Sequence, residues 1–93
     1  MQVDLSLDII QNGVPKSAYH CPIALRLKEM FPDAKRITVG RDNVQILYVD
    51  NRHDEYNLDE TGMWFVNQFD RNLPVYPCTI TLRFRRGALG RKL

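Results

Sequence analysis

The apolar side chains of residues 21–31 recur at steps of three and four, the spacing that places them on one face of a helix. Pro22 suits the first helical turn, where its missing N–H costs no hydrogen bond. Pro32 ends the helix, because a residue that precedes proline is driven out of the helical conformation. The pattern therefore predicts the main helix from about residue 21 to residue 31. Its apolar positions are Ile23, Ala24, Leu27, Met30 and Phe31.

Alternation and turn residues define the remaining elements. Apolar and polar side chains alternate over residues 2–7 and 78–84, which predicts a strand near each end of the chain. Residues 36–49 are predicted to form a hairpin around a Gly-Arg-Asp-Asn turn, and residues 60–70 a second helix. Residues 55–57 are interpreted as a short edge strand between the hairpin and the second helix.

These elements predict one small α+β domain. Residues 8–12 add one or two helical turns after the first strand. The first and last strands each have one apolar face, so we expect the helices to cover one face of a mostly antiparallel sheet of four or five strands. The domain is predicted to span residues 1–84, followed by a basic, flexible tail over residues 85–93.

The composition is that of an ordinary globular protein. The chain has 93 residues and a net charge of +2, and 44% of its residues are hydrophobic. We expect no signal peptide, because the first residues lack a basic and then an apolar region, and no apolar run approaches the roughly 20 residues that span a bilayer. With two cysteines that are expected to stay reduced, the protein is predicted to be cytoplasmic and to have no membrane partner.

The charge is distributed unevenly along the chain. Five of the 13 Lys and Arg residues, and none of the 11 Asp and Glu residues, fall within residues 83–93. A basic tail on an acidic body is typical of an arm that binds a polyanion, so nucleic acid is one predicted partner. A solvated tail that only keeps the protein soluble is the alternative. The tail residues assigned to anion or nucleic-acid binding are Arg85, Arg86, Arg91 and Lys92.

The start of the main helix is a second candidate anion site. Unpaired N–H groups at a helix N-terminus favour an anion, and Lys16, Ser17 and His20 precede them in the sequence. The alternative is that Ser17 or His20 simply caps the helix. Cys21 at the same place could be a reactive thiol with a lowered pKa, or a small buried residue.

No grouping in the sequence predicts catalysis. The two cysteines and two histidines lack the spacing of a zinc site. The sequence contains neither a glycine-rich phosphate loop nor a serine-centred elbow motif. We therefore predict that the protein is not an enzyme and has no metal site and no cofactor.

The single tryptophan does not fit the apolar face of the second helix. Phe65 and Phe69 share that face, whereas Trp64 projects away from it among polar neighbours that include Gln68. Exposed tryptophans are enriched at binding hot spots, so Trp64 and Gln68 are predicted to contact a partner. The alternative is that the tail, the loop around residues 72–77 or a crossing segment covers the indole ring.

The polar face of the predicted sheet is the second candidate contact surface. It mixes threonine, arginine and aliphatic side chains, a composition that suits a homodimer interface or a partner protein. An ordinary hydrated face is the alternative. The residues assigned to this surface are Leu47, Val49, Thr79, Thr81 and Arg83.

Several short motifs occur together over most of residues 18–84. They are His20-Cys21-Pro22-Ile23-Ala24-Leu25, Phe31-Pro32-Asp33-Ala34, Val39-Gly40, Tyr56-Asn57-Leu58, Phe65, Phe69-Asp70 and the strand after Pro77. In these motifs the chain resembles a family of small uncharacterised proteins from phages and prophages, from which Trp64 and the basic tail depart. The resemblance implies a phage-related origin and no known activity. Because small accessory phage proteins often inhibit host defence components, it also suggests a counter-defence inhibitor, for example an anti-CRISPR-like protein in the host cytoplasm.

Three functions follow from these features. The leading prediction is a non-enzymatic protein that binds and blocks a host protein. The second is nucleic-acid or nucleotide binding through the basic tail and the start of the main helix. The third is a thiol-based enzyme that uses Cys21.

Overall fold

The computed structural model describes residues 1–88 and contains three helices and five strands in that range. The helices are α1 (Leu7–Asn12), α2 (Pro22–Met30) and α3 (Glu60–Asp70). The strands are β1 (Gln2–Leu5), β2 (Ala34–Val39), β3 (Asn43–Tyr48), β4 (His53–Leu58) and β5 (Cys78–Ala88). The two main helices lie within one residue of their predicted positions.

The five strands form one antiparallel sheet in the order β1-β5-β4-β3-β2. The predicted α+β fold with a mostly antiparallel sheet is therefore confirmed. The prediction of a short edge strand at residues 55–57 is wrong, because β4 pairs with β3 on one side and with β5 on the other. Its polar side chains resemble those of an edge strand, although the strand lies at the centre of the sheet.

The sheet curls around α2. This helix contacts both β1 and β2, which are the two outer strands of the sheet. A flat sheet would hold the first and fifth strands about 19 Å apart, too far for one helix to contact both closely. The second long helix, α3, packs on the neighbouring strands β4 and β5.

The concave side of the curled sheet and the helices enclose one hydrophobic core. Successive side chains of a strand point to opposite sides, so alternate strand residues enter this core and the others form a polar face on the far side. We call that far side the open face. Burial of one large aliphatic side chain stabilises the fold by about 1.5–3 kcal/mol. The largest fully buried side chains are Phe65, Leu5, Ile23, Leu27, Ile46, Ile80 and Leu82.

The joint between α1 and α2 depends on a close approach at Gly13. This glycine is the C-cap residue of α1, and its φ of −76° is one that any residue can adopt. A Cβ atom at this position would stand 2.5 Å from the Pro22 ring carbons. Glycine is therefore required because α2 begins directly against it, and not for its conformational freedom.

The last strand extends further than the alternation predicts. Residues 85–88 pair with β4, so the first part of the predicted tail belongs to the sheet. The physical reason is a buried carboxylate on β4 that binds two arginines of this extension, as described below. Residues 89–93, which include the predicted anion-binding Arg91 and Lys92, lie outside the described residues.

Candidate functional site

A stacked aromatic pair lies on the surface beside α3. The ring centroids of Trp64 and Tyr76 are 5.8 Å apart, and the ring planes are inclined by 24°. Trp64 remains 39% exposed and Tyr76 63% exposed. A loop residue thus covers some of the indole, as the alternative interpretation expects, and the remainder faces solvent. The predicted role of Trp64 as a partner contact stays a prediction. Gln68 lies one turn further along α3 and is half-buried.

A helix C-cap brings the loop back to α3. Asn72 adopts a left-handed conformation with a φ of 59°. Its N–H donates to the Phe69 carbonyl at 3.0 Å, and the Leu73 N–H donates to the Gln68 carbonyl at 2.9 Å. This pair of bonds is the Schellman pattern, which satisfies the last helical carbonyls while the chain reverses. The reversal returns the following residues to α3, where one of them meets the indole ring.

The open face carries most of the other predicted contact residues. Thr79, Thr81 and Arg83 are exposed there, and Leu47 is half-buried. Val49 is not part of this face, because it follows β3 in a turn, where it is 68% exposed. Since α3 packs on the opposite side of the sheet, the structure places the predicted contacts on two separate surfaces.

The surroundings of Leu47 are polar. Its cross-strand neighbours are Arg36 and His53. A shallow pocket of about 230 Å³ next to it is also lined by Tyr19. Because the buried centre of a stable homodimer interface is apolar, this face suits a polar partner better than a dimer packed through Leu47.

The open face contains one buried carboxylate that the sequence analysis did not single out. Glu55 is only 3% exposed. Its Oε1 accepts a bond from Arg86 Nε at 2.9 Å, and its Oε2 accepts bonds from Arg85 at 3.2 Å and Asn43 Nδ2 at 3.1 Å. The bonds from Asn43 and Arg86 lower the pKa of Glu55 below its usual value, against the opposing effect of burial. Two arginines assigned to anion binding are thus already paired with an internal anion.

A β-bulge explains how two successive arginines reach one carboxylate. The register of β4 against β5 shifts between Glu55 and Tyr56. Tyr56 is opposite Phe84 and Glu55 is opposite Arg86, so Arg85 is the extra residue of the bulge. A bulge turns two neighbouring side chains toward the same side, which places both guanidinium groups over the carboxylate.

Several polar groups of the residues before α2 already have hydrogen-bond partners within the protein. Ser17 Oγ accepts a bond from the His20 N–H at 3.1 Å and lies 3.2 Å from His20 Nδ1. The Lys16 backbone N–H donates to Asp70 Oδ1 at 2.9 Å. A carboxylate therefore already lies beside the place where an anion was expected, and Ser17 and His20 form a local turn in front of the helix.

A small pocket of about 240 Å³ opens between the start of α2 and α3. Cys21, Phe65 and Phe69 contribute to its mostly apolar lining, and Lys16, Arg41 and Asp70 add two positive charges and one negative charge. Pockets for drug-sized molecules usually enclose about 300–1,000 Å³. This pocket is smaller than that range, which does not favour a site for a drug-sized molecule.

Cys21 is the N-cap residue of α2 and is buried, with 6% exposure. Burial raises the pKa of its thiol, although the N–H groups of Ala24 and Ile23 act in the opposite direction. A raised pKa reduces the thiolate fraction at neutral pH, and the thiolate is the reactive form. The geometry favours a small buried residue over a nucleophile.

Comparison of the chain with protein-family models, curated proteins and solved structures finds no match. The resemblance to phage proteins therefore stays a prediction. Within residues 1–88, no helix combines the length and the apolar character needed to cross a membrane. The same residues contain no group of three or more His, Cys, Asp or Glu side chains that could hold a metal ion.

Proposed function

We propose that this chain is a non-enzymatic binding protein that contacts a partner protein through the Trp64–Tyr76 pair. The observation that carries the proposal is the exposure of both stacked rings, 39% for Trp64 and 63% for Tyr76. Tryptophan and tyrosine are the residue types most enriched at binding hot spots. The stack also holds the indole in place before the partner arrives, which lowers the entropy lost on binding.

The partner that we propose is a host protein, and the finer proposal is a counter-defence inhibitor of the anti-CRISPR kind. This part depends only on the resemblance to phage proteins. Gln68, one turn from the indole, adds a hydrogen-bonding amide beside the rings. An aromatic centre with a polar neighbour is the usual composition of a protein interface.

The test is a pull-down from host lysate with the wild type, Trp64→Ala and Tyr76→Ala. Asn67→Ala is the matched control, because Asn67 is an exposed residue of the same helix. We expect one specific protein to bind the wild type and the control but not Trp64→Ala. With that protein purified, loss of either ring should weaken binding about 30-fold or more, which corresponds to the roughly 2 kcal/mol or more that defines a hot-spot residue.

Circular dichroism confirms first that each variant is folded. A partner that binds Trp64→Ala and the wild type equally would contradict the proposal. In that case Leu47→Asp on the open face tests whether the partner, or a second copy of the chain, uses the other predicted surface. Sedimentation analysis of the same variant separates these two outcomes.

Nucleic-acid binding is a second candidate function, supported by the arginines of β5. Arg83 is exposed and makes no ion pair among the described residues. Arg85 and Arg86 keep 49% and 70% of their side-chain exposure despite their bonds to Glu55. Affinity for a labelled oligonucleotide should fall steeply as the salt concentration rises. At one salt concentration, Arg83→Gln should bind the oligonucleotide more weakly than the control Arg71→Gln. An affinity independent of salt and of Arg83 would contradict this candidate.

A further inference from the structure

The two edges of β5 are paired to different extents. One edge pairs with β4 as far as Ala88. The other edge pairs with the much shorter β1, and this ladder ends where Leu82 exchanges bonds with Met1, at 2.7 and 2.9 Å. Among residues 1–88, no strand pairs with this second edge over residues 83–88. We call this segment the outer edge of β5.

The backbone groups of Phe84 point toward the outer edge. In an antiparallel ladder the N–H and C=O groups of one residue point to the same side, and those of the next residue point to the other side. The Leu82 N–H and C=O both bond with Met1, on the side of β1. Phe84, two residues later and before the bulge, therefore presents its N–H and C=O on that same side.

The strand that already lies along this edge shows which pattern the edge accepts. In β1, Val3 and Leu5 are buried in the core, whereas Gln2 and Asp4 are exposed on the open face. The Thr79 hydroxyl of β5 donates to Asp4 Oδ1 at 2.7 Å. A strand in which apolar and acidic side chains alternate thus fits the part of the β5 edge that pairs with β1.

The same alternation suits the unoccupied part. Phe84, on the core side of the sheet, is 56% exposed and packs edge-on against Tyr56 with ring centroids 5.5 Å apart. Arg83 lies on the open face, followed by the two arginines of the bulge. An added strand would place apolar side chains beside the phenylalanine and acidic side chains beside the arginines.

The charge of the edge decides which occupant is favoured. Positive side chains and bulges along an edge are devices that prevent two copies of a sheet from pairing. Two copies joined at this edge would bring their arginines together, and like charges on neighbouring strands are destabilising. The same arginines attract an acidic strand, so the features that reject a second copy select a partner of opposite charge.

We propose that the outer edge of β5 binds an extended peptide in which acidic and apolar side chains alternate. The peptide adds a sixth strand antiparallel to β5, in line with β1. Its backbone bonds to the N–H and C=O of Phe84, and its acidic side chains lie beside Arg83. This site is separate from the Trp64–Tyr76 pair and does not depend on it.

The test compares Phe84→Pro with Phe84→Ala in binding a fluorescein-labelled Glu-Val-Glu-Val-Glu-Val peptide, measured by fluorescence anisotropy. Both variants lose the ring, but only the proline variant also loses the outward N–H. Because that N–H takes no part in the β4 ladder, proline is tolerated there as on any strand edge. We expect Phe84→Pro to bind the peptide about 3- to 10-fold more weakly than Phe84→Ala, the effect of one hydrogen bond.

Two further peptides separate strand addition from charge attraction. N-methylation of alternate peptide residues removes backbone donors without changing the charge, and it should abolish binding. A Lys-Val-Lys-Val-Lys-Val peptide should bind at least tenfold more weakly than the acidic one. Equal binding of the methylated peptide, or equal affinity of the proline and alanine variants with native circular dichroism, would overturn the proposal. Trp64→Ala should bind the peptide as the wild type does, which distinguishes this site from the proposed partner surface.

Discussion

At the scale of single residues, Glu55 shows how a buried charge is retained in a small protein. An unpaired buried carboxylate would be strongly destabilising. Here the carboxylate accepts three bonds, from Asn43, Arg85 and Arg86, and no buried side-chain polar atom among the described residues lacks a partner. The cluster also holds the bulge of β5 against β4, so its effect on the fold extends beyond its own bonds.

The lowered pKa of Glu55 makes the stability of the fold depend on pH. The ionised carboxylate stabilises the folded state fully at pH values above its ordinary pKa of 4.5. As the pH falls below 4.5, Glu55 becomes protonated in the unfolded chain at a higher pH than in the folded protein. Proton binding therefore favours the unfolded chain, and this stabilisation is lost as the pH approaches the lower folded-state pKa. Glu55→Gln should therefore be less stable than the wild type at neutral pH, with a difference that shrinks in acid.

Urea denaturation at a series of pH values measures that difference. Glu29→Gln is the matched control, because Glu29 forms an exposed ion pair with Arg26 on α2 and its side chain is 58% exposed. Exposed pairs of this kind contribute little, so the control should follow the wild type. A stability difference between the wild type and Glu55→Gln that stays constant from neutral to acid pH would contradict the assigned role.

The sequence identifies Trp64 but neither Tyr76 nor Glu55 as a site residue. Trp64 is recognisable because a helix has a fixed period, and an aromatic ring on its polar side breaks that period. Tyr76 lies in a loop whose path depends on how the helix ends. Glu55 contacts Arg85 and Arg86 only because of the register between two strands, and these arginines lie 30 and 31 residues away in the chain. No local sequence pattern encodes such a contact.

At the scale of elements, local signals locate the helices better than the strands. Pro22 at the start of α2 and Asp59 before α3 act within a few residues of themselves. The helix α2 begins at Pro22, and α3 begins directly after Asp59. Asp59 Oδ1 accepts the Gly62 N–H at 2.7 Å, as an N-cap should. The position of β4 depends instead on two neighbouring strands, so its polar sequence is misleading about its place in the sheet.

The C-cap of α3 is an element whose effect on the partner surface can be measured. Asn72 is left-handed, and a residue other than glycine or asparagine costs about 1–2 kcal/mol in that conformation. Asn72→Ala should therefore lower the free energy of unfolding by about 1 kcal/mol, whereas Asn72→Gly should be neutral or slightly stabilising. Urea denaturation gives both values.

The same pair of variants tests whether the cap positions the aromatic rings. Tryptophan fluorescence reports the surroundings of Trp64, which stacks on Tyr76 only if the loop returns to α3. We expect the emission of Asn72→Ala to shift toward that of Tyr76→Ala, and that of Asn72→Gly to match the wild type. Unchanged emission in Asn72→Ala would show that the cap does not control the stack.

At the scale of the whole molecule, one helix connects the two ends of the sheet. Because α2 contacts both β1 and β2, the outer strands share a single packing partner although three strands separate them. Hairpins and helix caps are encoded locally, but this curl depends on contacts between α2 and strands at opposite ends of the sheet. The sequence therefore predicts a sheet covered by helices and does not predict its curvature.

The shared helix implies that the two outer strands lose their protection together. Leu27 of α2 is fully buried, and its truncation to alanine should lower the free energy of unfolding by about 2–5 kcal/mol. That is a large part of the roughly 5–15 kcal/mol that stabilises a typical domain. In Leu27→Ala, amide hydrogen exchange should quicken in β1 and β2 to a similar degree, since both depend on the same contacts.

Leu7→Ala, at a position that is 55% exposed, is the control and should change stability by no more than about 0.5 kcal/mol. Faster exchange in only one of the two strands would mean that α2 does not hold the curled sheet together.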